Sequence, residues 1–198
     1  MNYNLRKVYF ILYFNVDLIY LLKCNIMMEI NLLAIAVAAL VPLIMGFIWY
    51  HPKMFGTVWM QESGLTEEKM KGSNMGFIFV FSFILSFLIA FFLQMITIHQ
   101  LGALGMVGGD EMNAKPSFFA FMKDYGMAYR SFGHGALHCF IAGVFLIFPI
   151  TAINAMFERK SWKYTFINTA YWTITITIMG GIVCGWYLPD GFNWVTQK

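Results

Sequence analysis

His134 and His138 stand four residues apart, on one face of any helix that carries them, and His99 closes an earlier apolar run. Two neutral imidazoles at i and i+4, with a third brought in by topology, make a ligand set for Zn²⁺ or another transition metal. The sequence lacks HExxH, the pattern that adds a Glu base to such a pair. Asp110, Glu111 and Asp124 lie in the loop between the histidines, and nothing in the sequence fixes a carboxylate beside the imidazoles. A structural reading competes with the metal reading: one histidine caps a helix and another hydrogen-bonds a neighbouring segment, and the chain holds no cofactor. Haem fits less well than either, because cofactor ligands in bundles sit on facing helices inside the core.

The elements that must position these residues are long and neutral. The chain of 198 residues is 60% hydrophobic and 12% charged, against about 45–50% and about 25% in an ordinary soluble domain. Too little polar surface remains to cover a water-soluble fold, so the excess apolar surface faces lipid. Four uncharged runs, at 30–50, 75–98, 135–157 and 164–188, each reach the ~20 residues that cross a ~30 Å hydrocarbon layer. Inside lipid the backbone satisfies its own hydrogen bonds, which makes each run a helix. Pro42 and Pro149 are expected to bend the first and third. Trp49, Tyr50, Trp162, Tyr164, Trp186 and Tyr187 sit at run ends, where amphipathic rings anchor at headgroups. The expected fold is all-α: a polytopic membrane protein with four transmembrane helices in a compact antiparallel bundle. That domain occupies 28–188, after an N-terminal extension at 1–27 and before a short tail at 189–198.

The extension reads in two ways, as sequence upstream of a natural start at Met27-Met28 or as an interfacial helix over its apolar part, Val8 to Leu22. In the loop after the first run, LTEEKMK predicts a short helix capped by Thr66. The stretch from Leu101 to Pro116 is glycine-rich and expected to be flexible, and Ser117 to Phe132 reads as either an interfacial segment or a plain surface loop. Lys53, Lys69, Lys71, Arg159, Lys160 and Lys163 fall on one face; Lys115, Lys123, Arg130 and Lys198 fall on the other, over a longer loop and a tail. The positive-inside rule weights short loops and puts the first face in the cytoplasm, with both ends of the core outside. Arg6, Lys7 and Lys23 pull against that orientation.

Small residues recur every four positions: Ala34, Ala38, Pro42, Gly46; Ser82, Ser86, Ala90; Gly135, Cys139, Gly143; and Thr165, Thr169, Thr173, Thr177, Gly181, Gly185. Such rows let membrane helices approach closely, and close approach drives association where lipid already solvates apolar surface. Phe77, Phe79, Phe81, Phe83 and Phe87 then face lipid or neighbouring helices. Asn154 and Asn168 fall near the same ends of consecutive antiparallel helices and are expected to hydrogen-bond each other. Cys24, Cys139 and Cys184 show no CxxC spacing; the last two share a depth and serve as small buried hydrophobes, or pair if that face is oxidising.

No charged residue interrupts a span, which counts against an ion-coupled pump. There is no GxSxG and no Walker loop, and the small scattered net charge of +3 makes no nucleic-acid stripe. The blocks WYHPKMFGTVWMQESGLTEEKMK (Trp49 to Lys71), HGALH, NAMFERKSWKYTFINTAYW and MGGIVCGW resemble domain-of-unknown-function family 1761, small bacterial integral membrane proteins. The resemblance runs from about Met28 to Trp186, with Thr169-Ala170 where Ala-Gly is common. It implies a four-span architecture and brings no assigned activity and no catalytic residues. The expected function is therefore non-enzymatic: a multi-pass protein of the bacterial inner membrane acting through helix packing or partner binding. Its partners would be the lipid bilayer and a second copy or another membrane protein. A small transporter or permease subunit is the alternative, and a metal-dependent membrane enzyme using His99, His134 and His138 is a further one. The first loop, with Trp49, Tyr50, His51, Pro52, Phe55, Gly56, Trp59 and Gly64, is expected either to present a recognition turn or to anchor the bundle at the interface.

Overall fold

The computed structural model describes residues 30–111 and 113–186. The extension at 1–27, the tail at 189–198, Cys24 and the Tyr187 anchor lie outside the described residues.

The described chain is helical: α1 (Leu32–Trp49), a π-helical turn (Pro52–Gly56), α2 (Thr57–Ser63), α3 (Glu67–Lys71), α4 (Met75–Thr97), α5 (His99–Met106), α6 (Pro116–Tyr125), α7 (Phe132–Ala142), a second π-helical turn (Gly143–Ile147), α8 (Phe148–Phe157) and α9 (Trp162–Gly185). Four stretches are long and apolar enough to cross a membrane: Leu32–Trp49, Met75–Thr97, Phe132–Phe157 and Trp162–Gly185. They pack together as an all-helical bundle formed from Asn31–Gly102 and residues 128–186. Ala103–Met127 belongs to a second unit, in which α6 begins with Pro116 in its first turn.

Side-chain caps set where the spans begin. Asn31, Asn74, Ser131 and Ser161 each accept a hydrogen bond from the backbone N–H three residues on, satisfying donors that a helix start leaves orphaned. The third and fourth spans therefore start a few residues before the neutral runs do. Asn31 also donates from Nδ2 to the Trp186 carbonyl at 3.1 Å, tying the start of α1 to the end of α9. Thr66 accepts from Lys69 N at 3.4 Å, as expected for a capped LTEEKMK helix. The glycine-rich stretch after His99 departs from expectation. Its first six residues, Leu101 to Met106, belong to α5, because the chain breaks at Ile98 (φ −106°, ψ 97°) and then resumes helical hydrogen bonding.

Both span prolines are accommodated. Pro42 lies inside α1, and its carbonyl accepts from the Tyr171 hydroxyl at 2.8 Å. Pro149 sits in the first turn of α8, directly after the second π-helical turn. A proline ring collides with the carbonyl four residues earlier in a regular helix, and widening the preceding turn removes that collision.

α9 is the hub. Half of its most apolar stretch is buried, against 17% for the second and third spans. Its small residues meet those of α7 in close register. A Cβ on Gly135 would overlap the Gly180 carbonyl and Cys184, one on Gly180 would overlap Cys139, and one on Gly143 would lie 2.6 Å from Thr173 Cγ2. The Gly135–Cys139–Gly143 row thus does what its spacing suggests, with Gly180 its unlooked-for counterpart. Ile35, Ala38, Ala90, Leu93, Cys139, Ile176, Met179 and Val183 form the core where the four spans meet. Phe77, Phe79 and Phe81 are exposed on the outer surface of α4, where lipid solvates them.

Candidate metal centre

The two ends of the bundle carry its polar groups. At the end formed by the first loop and the α8–α9 turn, Asn168 is the centre. Its Oδ1 accepts from the Tyr50 hydroxyl at 2.9 Å and from Trp59 Nε1 at 3.2 Å, while its Nδ2 donates to the Tyr164 carbonyl at 2.8 Å. The Asn154–Asn168 bond expected from the sequence is not made: Asn154 is exposed and Asn168 is committed to these three partners. Helix phase explains the miss, since Ala152 and Ala155, on either side of Asn154, are the α8 residues that turn inward. Burial holds the Tyr50 phenol above the usual tyrosine range, with Tyr171 and Tyr164 adding to the shift. Tyr50 therefore stays a neutral donor at physiological pH.

The loop residues singled out in the sequence build this end. His51 Nδ1 accepts from Lys53 N at 3.1 Å, Trp49 Nε1 donates to the Ile167 carbonyl at 3.1 Å, and the Trp49 and Phe55 rings lie 4.5 Å apart. Gly56 is pressed onto the backbone of Tyr50 and His51, where a Cβ has no room. Gly64 ends α2 in the left-handed conformation (φ 74°). Glu62 accepts from the Ser161 hydroxyl at 2.5 Å, and Lys160 Nζ donates to the Ser63 carbonyl at 2.7 Å. Trp49, Tyr50 and Trp59 are thus turned toward α9, which favours an anchoring loop over a presented recognition turn.

At the other end the three histidines converge. α7 carries His134 and His138 on one face, and His99 opens α5 just past the break at Ile98. One ligand nitrogen from each lies within 4.8 Å of the others. His134 Nε2 and His99 Nε2 are 2.9 Å apart, and the three ring centroids form a triangle with sides of 4.4, 4.9 and 5.0 Å. A 2.9 Å contact is a hydrogen bond between neutral imidazoles, one ring donating and the other accepting. Three nitrogens bound tetrahedrally at ~2.0–2.1 Å would sit ~3.3 Å apart. Admitting an ion therefore moves His99 and His134 apart by a few tenths of an ångström and draws His138 in. Side-chain rotation covers both.

Tyr129 frames the site. Its ring lies 5.1 Å from that of His134 and 6.1 Å from that of His99. Its backbone is left-handed (φ 62°), a conformation that costs a residue with a Cβ ~1–2 kcal/mol. Its carbonyl accepts from Ser131 N at 2.9 Å, just before the α7 cap, and from Cys184 Sγ at 3.6 Å. Gln100, next to His99, donates to the Ala128 carbonyl at 2.9 Å. The strained segment is thereby pinned to both helices that carry the histidines. Nothing in the sequence marks Tyr129 as strained; its place between two loop segments becomes visible only in the fold. Cys139 and Cys184 are both buried and unpaired, consistent with small hydrophobes supporting α7 against α9.

The threonine row is divided. Thr165, Thr169 and Thr173 are buried, with Thr169 bonded to Thr151 at 2.6 Å, whereas Thr177 is half-buried and bonds back to the Thr173 carbonyl at 2.7 Å. Gly181 and Gly185 lie against Phe132, where added side chains would collide.

No curated protein and no solved structure matches the chain. The family model described as a protein of unknown function, DUF1761, matches residues 33–184. These limits enclose nearly all of the four spans, the first loop and His51, His99, His134 and His138. With the four spans, the capped first loop and the α7–α9 seam in place, the chain belongs to the DUF1761 family.

Proposed function

We propose that the protein is a non-catalytic metal-binding protein of a bacterial inner membrane, its packed bundle serving as the frame that holds a transition-metal ion at one face. The carrying observation is the convergence of His99, His134 and His138 ligand nitrogens within 4.8 Å. Imidazole ligands suit Zn²⁺, Cu²⁺, Ni²⁺ and Fe²⁺, and a three-histidine set is one that Zn²⁺ commonly takes. The supporting shell fits a rigid site: α7 is locked to α9 through its glycines, and the Tyr129 segment is pinned on both sides. Helix packing, the role expected from the small-residue rows, then supplies the preorganisation that such sites need. The transporter alternative draws less support, because a groove between α4 and the α7–α8 span is lined, among the described residues, by one hydroxyl-bearing side chain, Thr151.

The test is metal analysis of the detergent-purified protein after incubation with Zn²⁺ and gel filtration. About one equivalent per chain is expected at neutral pH, as for a single mononuclear site. Protons compete for imidazole nitrogen, so metal affinity should fall as the pH is lowered. His134→Ala should remove the metal while the protein stays folded and monodisperse. Wild-type protein eluting free of metal at neutral pH would refute the proposal.

A further inference from the structure

We propose that the histidine site takes the polar head of a membrane amphiphile whose single apolar tail lies in the groove between α4 and the α7–α8 span. This inference rests on the metal reading above and adds the chemical class of the ligand.

The groove has a volume of about 480 Å³, within the ~300–1,000 Å³ range of small-molecule sites. One wall is α4, from Ile96 down to Leu88; the other runs from Ala142 to Thr151, and Trp172 and Ile176 of α9 form the floor. None of the three histidines lines it, but its upper end lies about one helical turn from them along the chain. Ala142 lies one turn beyond His138 on the same helical face, ~6 Å along the axis, and Ile96 is the last groove residue before the chain reaches His99. From Ala142 to Ile150 the wall extends a further ~12 Å, through the middle of the span and past it. The second π-helical turn makes part of this wall, since Leu146 and Ile147 belong to it. Leu88, Phe92, Leu146 and Ile150 on the rim are exposed, so the groove opens sideways to lipid.

Two observations together select the occupant. The lining is apolar apart from Thr151, whose hydroxyl is already bonded to Thr169 and to the Ile147 and Phe148 carbonyls. Such a surface offers nothing to a polar solute, but it receives a hydrocarbon chain from the surrounding bilayer. The three-histidine set leaves a fourth position on a tetrahedral ion, which a small oxygen-donor head can fill. A headgroup-level metal with a tail-length groove leading away from it matches one molecule that is polar at one end and apolar at the other. A water-soluble ligand would use the metal and leave the groove without a role.

The experiment uses the full chain in nanodiscs, loaded with Co²⁺ as a spectroscopic substitute for Zn²⁺. Metal content is measured first; then dodecanehydroxamic acid and acetohydroxamic acid are titrated against the visible absorption of the bound cobalt. The same titrations are run on Ile150→Trp and Leu88→Trp, which fill the groove from opposite walls, and on Phe47→Trp, a lipid-facing control. Partitioning of the long chain into lipid is common to all four proteins and cancels in the comparison. We expect the dodecyl compound to perturb the spectrum of wild type and Phe47→Trp at concentrations at least tenfold lower than in either groove variant, with acetohydroxamic acid acting equally on all. A metal-loaded wild type whose response to the dodecyl compound matches that of a folded groove variant would overturn the tail assignment and leave the metal site standing. Failure of wild type to hold cobalt or zinc would remove the metal reading and this inference with it.

Discussion

The two polar ends of the bundle are built on opposite plans. At the Asn168 end each major polar group answers another: Tyr50 and Trp59 donate to Asn168, Glu62 accepts from Ser161, and Lys160 caps the end of α2. At the histidine end three imidazoles turn mainly toward one another, beside a tyrosine held in a left-handed backbone and above an apolar groove. Each end carries one left-handed non-glycine residue, Tyr129 (φ 62°) and Arg159 (φ 56°), so the difference lies in the polar groups: saturated networks rigidify a fold, whereas convergent ligands cluster where binding occurs. The contrast fits the proposed division, stability at one end and binding at the other, although the blocks that carry the family resemblance cover both.

The contrast breaks most severely in the seam that serves both ends. Gly180→Leu places a side chain into Cys139, and overpacking of this kind costs ~1–3 kcal/mol or more. Because α7 carries two of the histidines, the variant should lose metal and melt at a markedly lower temperature. Retention of wild-type melting and metal content would mean that α7 and α9 do not touch as described. A smaller and one-sided effect is expected at the saturated end. Asn168→Ala leaves the Tyr50 hydroxyl and Trp59 indole without their acceptor, a loss of ~1–3 kcal/mol for buried donors, less where lipid-interface water reaches them. Chemical or thermal unfolding in detergent should register it, with zinc stoichiometry unchanged. The smallest effect has the opposite sign. Tyr129→Gly relieves the left-handed backbone at φ 62°, worth ~1 kcal/mol, so the protein should become slightly more stable while holding its metal more weakly. A drop in both quantities would assign Tyr129 to packing and erase the difference between the ends.

Much of this arrangement is legible in the residues. The spans follow from uninterrupted apolar length, and the gathering of His99 with His134 and His138 follows from an i, i+4 pair facing the end of the antiparallel neighbour. The Gly135–Cys139–Gly143 row also reads correctly, because period-four spacing is a property of one helix. Features that depend on the rotational phase between two helices do not read this way. Asn154 and Asn168 are at matching depth, but only Asn168 points inward. Gly180 lies outside the period-four row and nonetheless meets Cys139. The groove is invisible for the same reason, since its wall depends on a widened turn that no residue pattern announces, Pro149 marking only its far side.

That widened turn also sets the angular bookkeeping of the whole third span. One extra residue in a turn rotates everything downstream by ~100° relative to an unbroken α-helix. Ala152 and Ala155 reach α9, and Thr151 reaches Thr169, only because of that offset. Deleting a single residue between Gly143 and Ile147 would shorten the chain without removing any named contact residue from its lower half. The turn would then close to a regular α-helix and Ala152 and Ala155 would keep their place on the seam, whereas straightening the turn at its full length would swing them off it by ~100°.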